Sequence, residues 1–417
     1  MIDLMLTDTT YEQAGLMHSK VAGRFEIVHV LPKKADGFDG MFDYADAFGR
    51  FKIAYIDSAH KISNISNKEQ KSATVFGGEF GLNSAQYNGF SLHLSTYISQ
   101  NLNLQNQPKE NLNEDFFDYQ NNSFAYVAES SIDYSNEFYE MKIGRIKIET
   151  PYANSDDIRM APNTFEGVWA NLDYTSQLNS QVIYLSRWAG YDSQNEEQEI
   201  SQNEFKNLVS DDSSGMLGFS LTYEYTRNSE MSLWYNYVDN MASIVYAEII
   251  GIYFVNKNGF HIDYGFQGTK IEELDNSQVD GEVFGLMSIF HYGGIFIGGA
   301  YNGVEVKSGK YISNGFGGGP YYTSLDEATI AAISEASVGK DAEAFRLGGG
   351  YEFENGLVVE FVYGELYNDD DRIVEEDIVL GYELEDRWNL EITYTNYTSS
   401  CNNNTFKRSL ARLEYNF

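Results

Sequence analysis

Arg50 and Lys52, Lys142, Arg346, and the pair Arg408 and Arg412 share one setting. Each alternates with apolar neighbours: Phe51, Ile53 and Tyr55 around the first two, Tyr139, Met141 and Ile143 around Lys142, Phe345, Leu347 and Tyr351 around Arg346, and Leu413, Tyr415 and Phe417 near the end. In an extended strand this pattern turns the oily set to one face and the cations to the other. The chemistry on offer is electrostatic, because cations gathered on one wall attract anionic groups as they leave water. Carboxylates hold equivalent positions at Glu79, Glu140, Glu224, Asp263, Glu360 and Glu391. Opposed acidic and basic walls would impose a transverse field that orients dipolar solutes. The competing expectation is that each Arg simply pairs with a carboxylate such as Glu352 or Glu414.

Covalent and metal chemistry find no footing in the motifs. There is no nucleophile elbow, no phosphate-binding loop and no His-Glu-x-x-His. The histidines, His18, His29, His60, His93, His261 and His291, are scattered, with His93 and His261 on polar faces. Cys401 is alone, which rules out a disulfide framework or a thiolate cluster. Asp211-Asp212 and Asp369-Asp370-Asp371 offer oxygen ligands to divalent cations, but no spacing matches an EF-hand loop and a solvated surface explains them. No cofactor, no metal site and no enzyme activity are expected. With 28 Lys+Arg against 62 Asp+Glu the formal net charge is −34, so nucleic acid is not a partner.

The elements that would position these side chains are strands. The 417 residues include 32 Tyr, 27 Phe and 37 Gly beside 5 Pro, a mixture that suits a large β-protein with aromatics on one face. A mean hydropathy of −0.40 argues against a bundle of transmembrane helices. From Gly49 onward period-2 alternation dominates, in about 18 segments, as in Leu217, Phe219, Leu221 and Tyr223 against Gly218, Ser220, Thr222 and Glu224. After every second segment the link is very short, as at Asn136-Glu137 and Gly293-Gly294; the intervening links are mostly long, as over 101–122, 190–214 and 303–342. That parity is the layout of a transmembrane antiparallel β-barrel of the outer-membrane type. The uncharged stretch Val283 to Val304 is long enough for a membrane helix but alternates about Gly293-Gly294, so two strands and a tight turn are expected there. The barrel is assigned to 47–417. Residues 1–46 form an N-terminal extension without clear period, and Asp3, Asp8 and Glu12 leave no visible signal peptide. The terminal face Ala411, Leu413, Tyr415 and Phe417 reads as an aromatic last strand of the kind recognised by the barrel-assembly machinery.

Two connections carry further expectations. Residues 149–165, with Pro151, Pro162 and Asp156-Asp157, are too polar and turn-rich for a strand. Folded inward, they would line a constriction with Asp156, Asp157 and Arg159. Within the long external loop 303–342, Ser324 to Val338 reads as a short helix capped by Ser324, with Glu327 three residues on.

The run Gly144-Arg145-Ile146-Lys147-Ile148-Glu149-Thr150-Pro151-Tyr152, followed by Ser155-Asp156-Asp157-Ile158-Arg159-Met160-Ala161-Pro162-Asn163-Thr164-Phe165-Glu166-Gly167, resembles the OprD-like outer-membrane porins of Gram-negative bacteria. Gly317-Gly318-Gly319-Pro320-Tyr321-Tyr322-Thr323-Ser324-Leu325 and the terminal Phe417 fit the same pattern. The resemblance implies a monomeric-type pore of 18 strands whose constriction loop lies between strands five and six, adding Arg145 to the constriction set. It also implies passage of small hydrophilic solutes, often carboxylates, past a ladder of basic side chains. The acidic balance departs from that pattern. The expectation is therefore an integral outer-membrane porin in contact with lipid, giving passive, partly selective diffusion of small hydrophilic solutes or ions, as a monomer or trimer. The alternative is a structural or adhesive barrel that binds a partner through its long loops; a loop-filled lumen would favour it.

Overall fold

A computed structural model describes residues 33–61, 69–195, 199–255, 259–384, 387–400 and 404–417. Its strands are β1 (Asp46–Lys61), β2 (Glu69–Asn83), β3 (Phe90–Asn101), β4 (Phe124–Ser135), β5 (Tyr139–Ile146), β6 (Thr164–Thr175), β7 (Leu178–Ala189), β8 (Met216–Thr226), β9 (Ser229–Val238), β10 (Ala242–Phe254), β11 (His261–Glu273), β12 (Gly281–Tyr292), β13 (Ile295–Glu305), β14 (Ala342–Glu352), β15 (Leu357–Tyr367), β16 (Arg372–Leu384), β17 (Trp388–Ser399) and β18 (Asn404–Asn416). Each pairs antiparallel with the next, and β1 pairs with β18 from Arg50↔Asn416 to Lys61↔Thr405, so the sheet closes as an 18-stranded barrel. Lys206–Asn207 adds a two-residue edge on β7. Closure leaves no strand edge facing hydrocarbon, where an unpaired backbone group is costly.

The faces follow the alternation. Phe51, Ile53 and Tyr55 are exposed on the outside while Lys52, Ala54 and Ile56 are buried inside. Val283 to Val304 forms the hairpin of β12 and β13 about Gly293, whose φ of +58° suits glycine. No described helix is long and apolar enough to cross a membrane. At the seam the Phe417 N–H donates to Gly49 O at 3.0 Å, and its ring lies 5.1 Å from Phe51 and 6.2 Å from Phe80.

Of the N-terminal extension, residues 1–32 lie outside the described residues, as does Cys401. Residues 33–45 carry a short helix, Phe38–Asp43, and dock on the β2–β3 turn, where the Ala85 N–H donates to Met41 O at 2.9 Å. That tie is a long-range hydrogen bond, which no periodicity announces.

The connections at the long-loop end turn inward. Loop 102–123 seats Leu112, Phe116 and Phe117 against Ala54, Ile56, Ala73, Val75 and Leu410 on the inner wall. Loop 147–163 is not wholly irregular: Glu149–Thr150 and Ala153–Asn154 make a two-residue hairpin. Loop 306–341 is not simply external. Tyr321, Tyr322, Thr323 and Ser324 are buried, the Gln267 side chain donates to Pro320 O at 2.7 Å, and the Thr323 N–H donates to Asn302 Oδ1 at 3.0 Å. Its helix is Ile330–Ala336, capped by Thr329, whose hydroxyl accepts from the Ala332 N–H at 3.2 Å. Ser324 is therefore not the cap; it stands inside the barrel against Arg346, six residues before the helix begins.

Candidate pore constriction and its charged lining

The inward loops divide the lumen. On one side Ile148, Tyr152, Phe316, Tyr321, Tyr322, Leu325, Ile330 and Ile333 pack on wall residues from β6 to β15, including Ile183, Trp188, Ile244, Tyr246 and Ile289. Along β1, β2, β17 and β18 the wall instead presents charge. Arg50, Asp157, Glu414, Glu391 and Arg412 keep side-chain exposures of 18%, 13%, 12%, 22% and 10%. The lumen is thus narrowed by loops over an apolar wall and remains polar along the opposite strip.

Asp157 is the hub of that strip. Arg50 contacts its Oδ2, Lys52 Nζ lies 3.3 Å from its Oδ1, and an Arg412 N–H donates to its carbonyl at 3.3 Å. Lys52 Nζ also donates to Arg159 O at 2.6 Å and lies 3.3 Å from Glu414 Oε1. Burial opposes ionisation of Asp157, but Arg50, Lys52 and Lys147 outweigh it and hold the carboxyl well below the usual carboxylate range. Arg50 lies opposite Glu79 in register, and Arg412 lies opposite Glu391, both of whose oxygens it meets at 3.0 Å. The expected opposed acidic and basic walls are therefore absent here. Acids and bases interleave, because cross-strand partners on one face are about 5 Å apart and opposite charges stabilise one another there.

A second knot ties three loops together. Arg159 Nε donates to Asp115 Oδ2 at 2.9 Å and its guanidinium stands 3.7 Å from Glu327 Oε1. Arg408 contacts Asp326 and Glu327 and lies 3.7 Å from Asp115 Oδ2. Arg346 sits apart from both knots. It donates to Ser324 O at 2.9 Å and stands in the field of Glu360 and Asp377.

Other expected residues fall elsewhere. Asp156 is buried with φ +38° and faces the glycine run of loop 306–341: a Cβ on Gly318 would lie 3.1 Å from its Oδ1, and one on Gly315 would lie 2.3 Å from Tyr152 O. Lys142 pairs with Glu140 at 4.0 Å and covers the Trp169 ring at 5.8 Å, near the short-turn end. Glu224 and Asp263 also lie towards that end, away from the constriction. Arg145 is not in the lumen set. It shares the outward phase of Tyr139 and Ile143, its Nε donates to Glu166 Oε1 at 3.0 Å, and it stacks over Phe205 at 4.3 Å. The competing pairing expectation holds for Glu414, which meets Arg50 and Lys52, whereas Glu352 is exposed at the end of β14. Lys147, Asp115, Asp326 and Glu327 were not expected at the site; all four lie on loops, where no parity places them.

The hairpin of loop 147–163 carries a titrating group. Burial pushes the Glu149 carboxyl up to about 7, against its bond from Ser155 Oγ and the nearby Lys147. Among the described residues its Oε2 is buried without a hydrogen-bond partner. The folded pKa lies above the ordinary value, so the contribution to hairpin docking is present at acid pH and is lost as pH rises through about 7. Protease protection of the loop should fall between the ordinary glutamate value of 4.5 and about 7, and Glu149→Gln should flatten the profile. A parent protein with pH-independent protection would refute this.

A family model for outer membrane porins of the OprD family matches residues 79–323. A search of curated proteins finds no significant match. Among solved structures, the outer membrane protein OpdK of Pseudomonas aeruginosa superposes with a TM-score of 0.73 at 14% identity over 89% of this chain and 98% of that chain. OpdQ of the same organism gives 0.73 at 13% identity over 91% and 99%. OccAB4 of Acinetobacter baumannii gives 0.71 at 13% identity over 89% and 98%.

Proposed function

Because the chain belongs to the OprD family of outer-membrane porins, we propose that its selectivity resides where loop 147–163 meets the charged strip of β1, β17 and β18. The protein is an integral outer-membrane channel giving passive, partly selective diffusion of small hydrophilic solutes. The family comprises channels rather than enzymes, and diffusion down a gradient asks for no catalytic group. The observation that carries the finer reading is the pairing of the basic side chains. Arg50, Lys52 and Arg412 each meet a carboxylate of the protein itself, Asp157, Glu414 or Glu391, within a chain whose formal net charge is −34. A free ladder of cations would favour carboxylate solutes; a neutralised one in a strongly acidic chain favours neutral, zwitterionic and cationic solutes. Arg50, Lys52, Arg412, Glu391, Glu414, Glu79 and Asp157 are the lining we assign to this task. Single-channel recording in a planar bilayer under a potassium chloride gradient tests it. Discrete steps with a reversal potential of cation-selective sign are expected. Silence from verified folded barrel would overturn the pore reading; steps with an anion-selective sign would overturn only the charge assignment.

Phe417 is the residue proposed to be read by the assembly machinery, in a single-chain barrel that needs no second copy to close. Its ring closes an aromatic patch with Phe51 and Phe80 at the seam, and its backbone pairs with Gly49. Phe417→Ala keeps that backbone pairing and removes the ring. Membrane insertion in cells should slow several-fold, while refolding in detergent is little changed. Equal losses in both settings would make the effect one of stability alone.

A further inference from the structure

We propose that His261, Asp263 and His291 form a site for one divalent transition-metal ion of the zinc class at the periplasmic mouth of the lumen. β11 opens with His261, and Asp263 is two residues on, on the same inner face. His291 lies directly opposite His261 in the β11–β12 ladder, next to the Tyr292–Ile295 turn that joins β12 to β13. The two rings stack with centroids 4.4 Å apart and planes 5° apart. One ligand atom from each of the three residues lies within 4.8 Å of the others.

Two independent observations point these atoms at a ligand. His261 Nδ1 lies 3.1 Å from the carbonyl oxygen of Gly259. A carbonyl only accepts, so Nδ1 carries the proton and Nε2 presents its lone pair, the arrangement a metal-binding imidazole takes when its second nitrogen is held by the backbone. His291 is 5% exposed, and its Nε2, although 3.2 Å from Asp263 Oδ2, has no hydrogen-bond partner among the described residues. Asp263 Oδ1 is likewise buried and without one. Unpartnered buried polar atoms are rare because they are costly, and an ion shared between them would satisfy both. Two imidazoles and one carboxylate suit zinc, cobalt, nickel or copper, whereas magnesium and calcium take oxygen ligands. Three protein ligands leave a fourth position for water or a passing solute.

The test uses the full barrel in detergent micelles, with folding verified by its heat-modifiable migration. Titration with zinc chloride should show one ion bound per chain, not displaced by a tenfold excess of magnesium. Replacing it by cobalt should give the strong visible bands of a four-coordinate, nitrogen-ligated ion. His261→Ala, His291→Ala and Asp263→Asn should each weaken binding by at least about tenfold, since even outer-shell changes cost that much, while His93→Ala should not. Zinc affinity unchanged in folded His261→Ala and His291→Ala barrels would overturn the proposal. So would the faint bands of an oxygen-ligated six-coordinate cobalt in the unaltered protein, a readout that survives any failure of the variants to fold.

Discussion

An Arg408→Glu barrel is expected to conduct more than the parent and to shift further towards cations. Arg408 is 2% exposed and is the shared partner of Asp115, Asp326 and Glu327. These acids come from loops 102–123 and 306–341, and Asp115 and Glu327 also hold Arg159 of loop 147–163. The substitution removes the cation and adds a fourth carboxylate. Breaking a buried pair by removing one partner costs about 3–5 kcal/mol, because the other charge is left uncompensated. That cost falls on the docking of the loops, since the closed ladder of backbone bonds in the wall is untouched. The loops should swing from the lumen, the step size should rise, and the reversal potential should move in the cation-selective direction. Arg408→Met should open the channel with a smaller change of selectivity. An Arg408→Glu channel with parental conductance and parental reversal potential would count decisively against the knot.

Asp157→Asn should move the reversal potential the opposite way. Asparagine keeps the size of the side chain and can still accept a hydrogen bond from Arg50, so loop 147–163 stays seated. The lost charge leaves Arg50 and Lys52 with Glu414 as their shared acidic partner and frees Lys147 from the carboxylate it reinforces. The strip then gains net positive charge where loop 147–163 meets the wall, at part-buried groups that salt screens less than exposed ones. Anion permeability should rise, and the effect should shrink at high salt as the Debye length falls towards ~3 Å. A shift towards cations, or none at low salt, would remove Asp157 from the filter.

Strand number, phase and the inward placement of Arg50, Lys52, Arg346, Arg408 and Arg412 were legible in the residues because a strand has a period of two. One confidently oily residue sets the face of every neighbour until the strand ends. The same rule, applied to Arg145, puts it outward with Tyr139 and Ile143; its place in a shared motif instead assigns it to the constriction, and the motif spans the end of β5, where the wall becomes loop. Beyond Ile146 phase means nothing, which is why Lys147 reaches Asp157 without any sign in the alternation. Asp115, Asp326 and Glu327 meet Arg408 only because two long loops fold back through the barrel mouth, and such contacts depend on tertiary packing. The helix cap shows the same limit on a small scale: Ser324 with Glu327 fits a capping box, yet Arg346 draws Ser324 into the lumen and Thr329 takes the cap.

The seam has a consequence for how such a chain is made. β1 finds its second neighbour only in β18, and the bond from Arg50 to Glu414 joins residues 364 positions apart. A ribosome must finish almost the whole chain before its first strand can be flanked on both sides. Until then two bare strand edges are open to other chains, and contacts so distant in sequence form slowly. Truncation anywhere before Asn404 leaves the opening strand a permanent edge, so a partial product is an aggregation hazard and not a smaller pore.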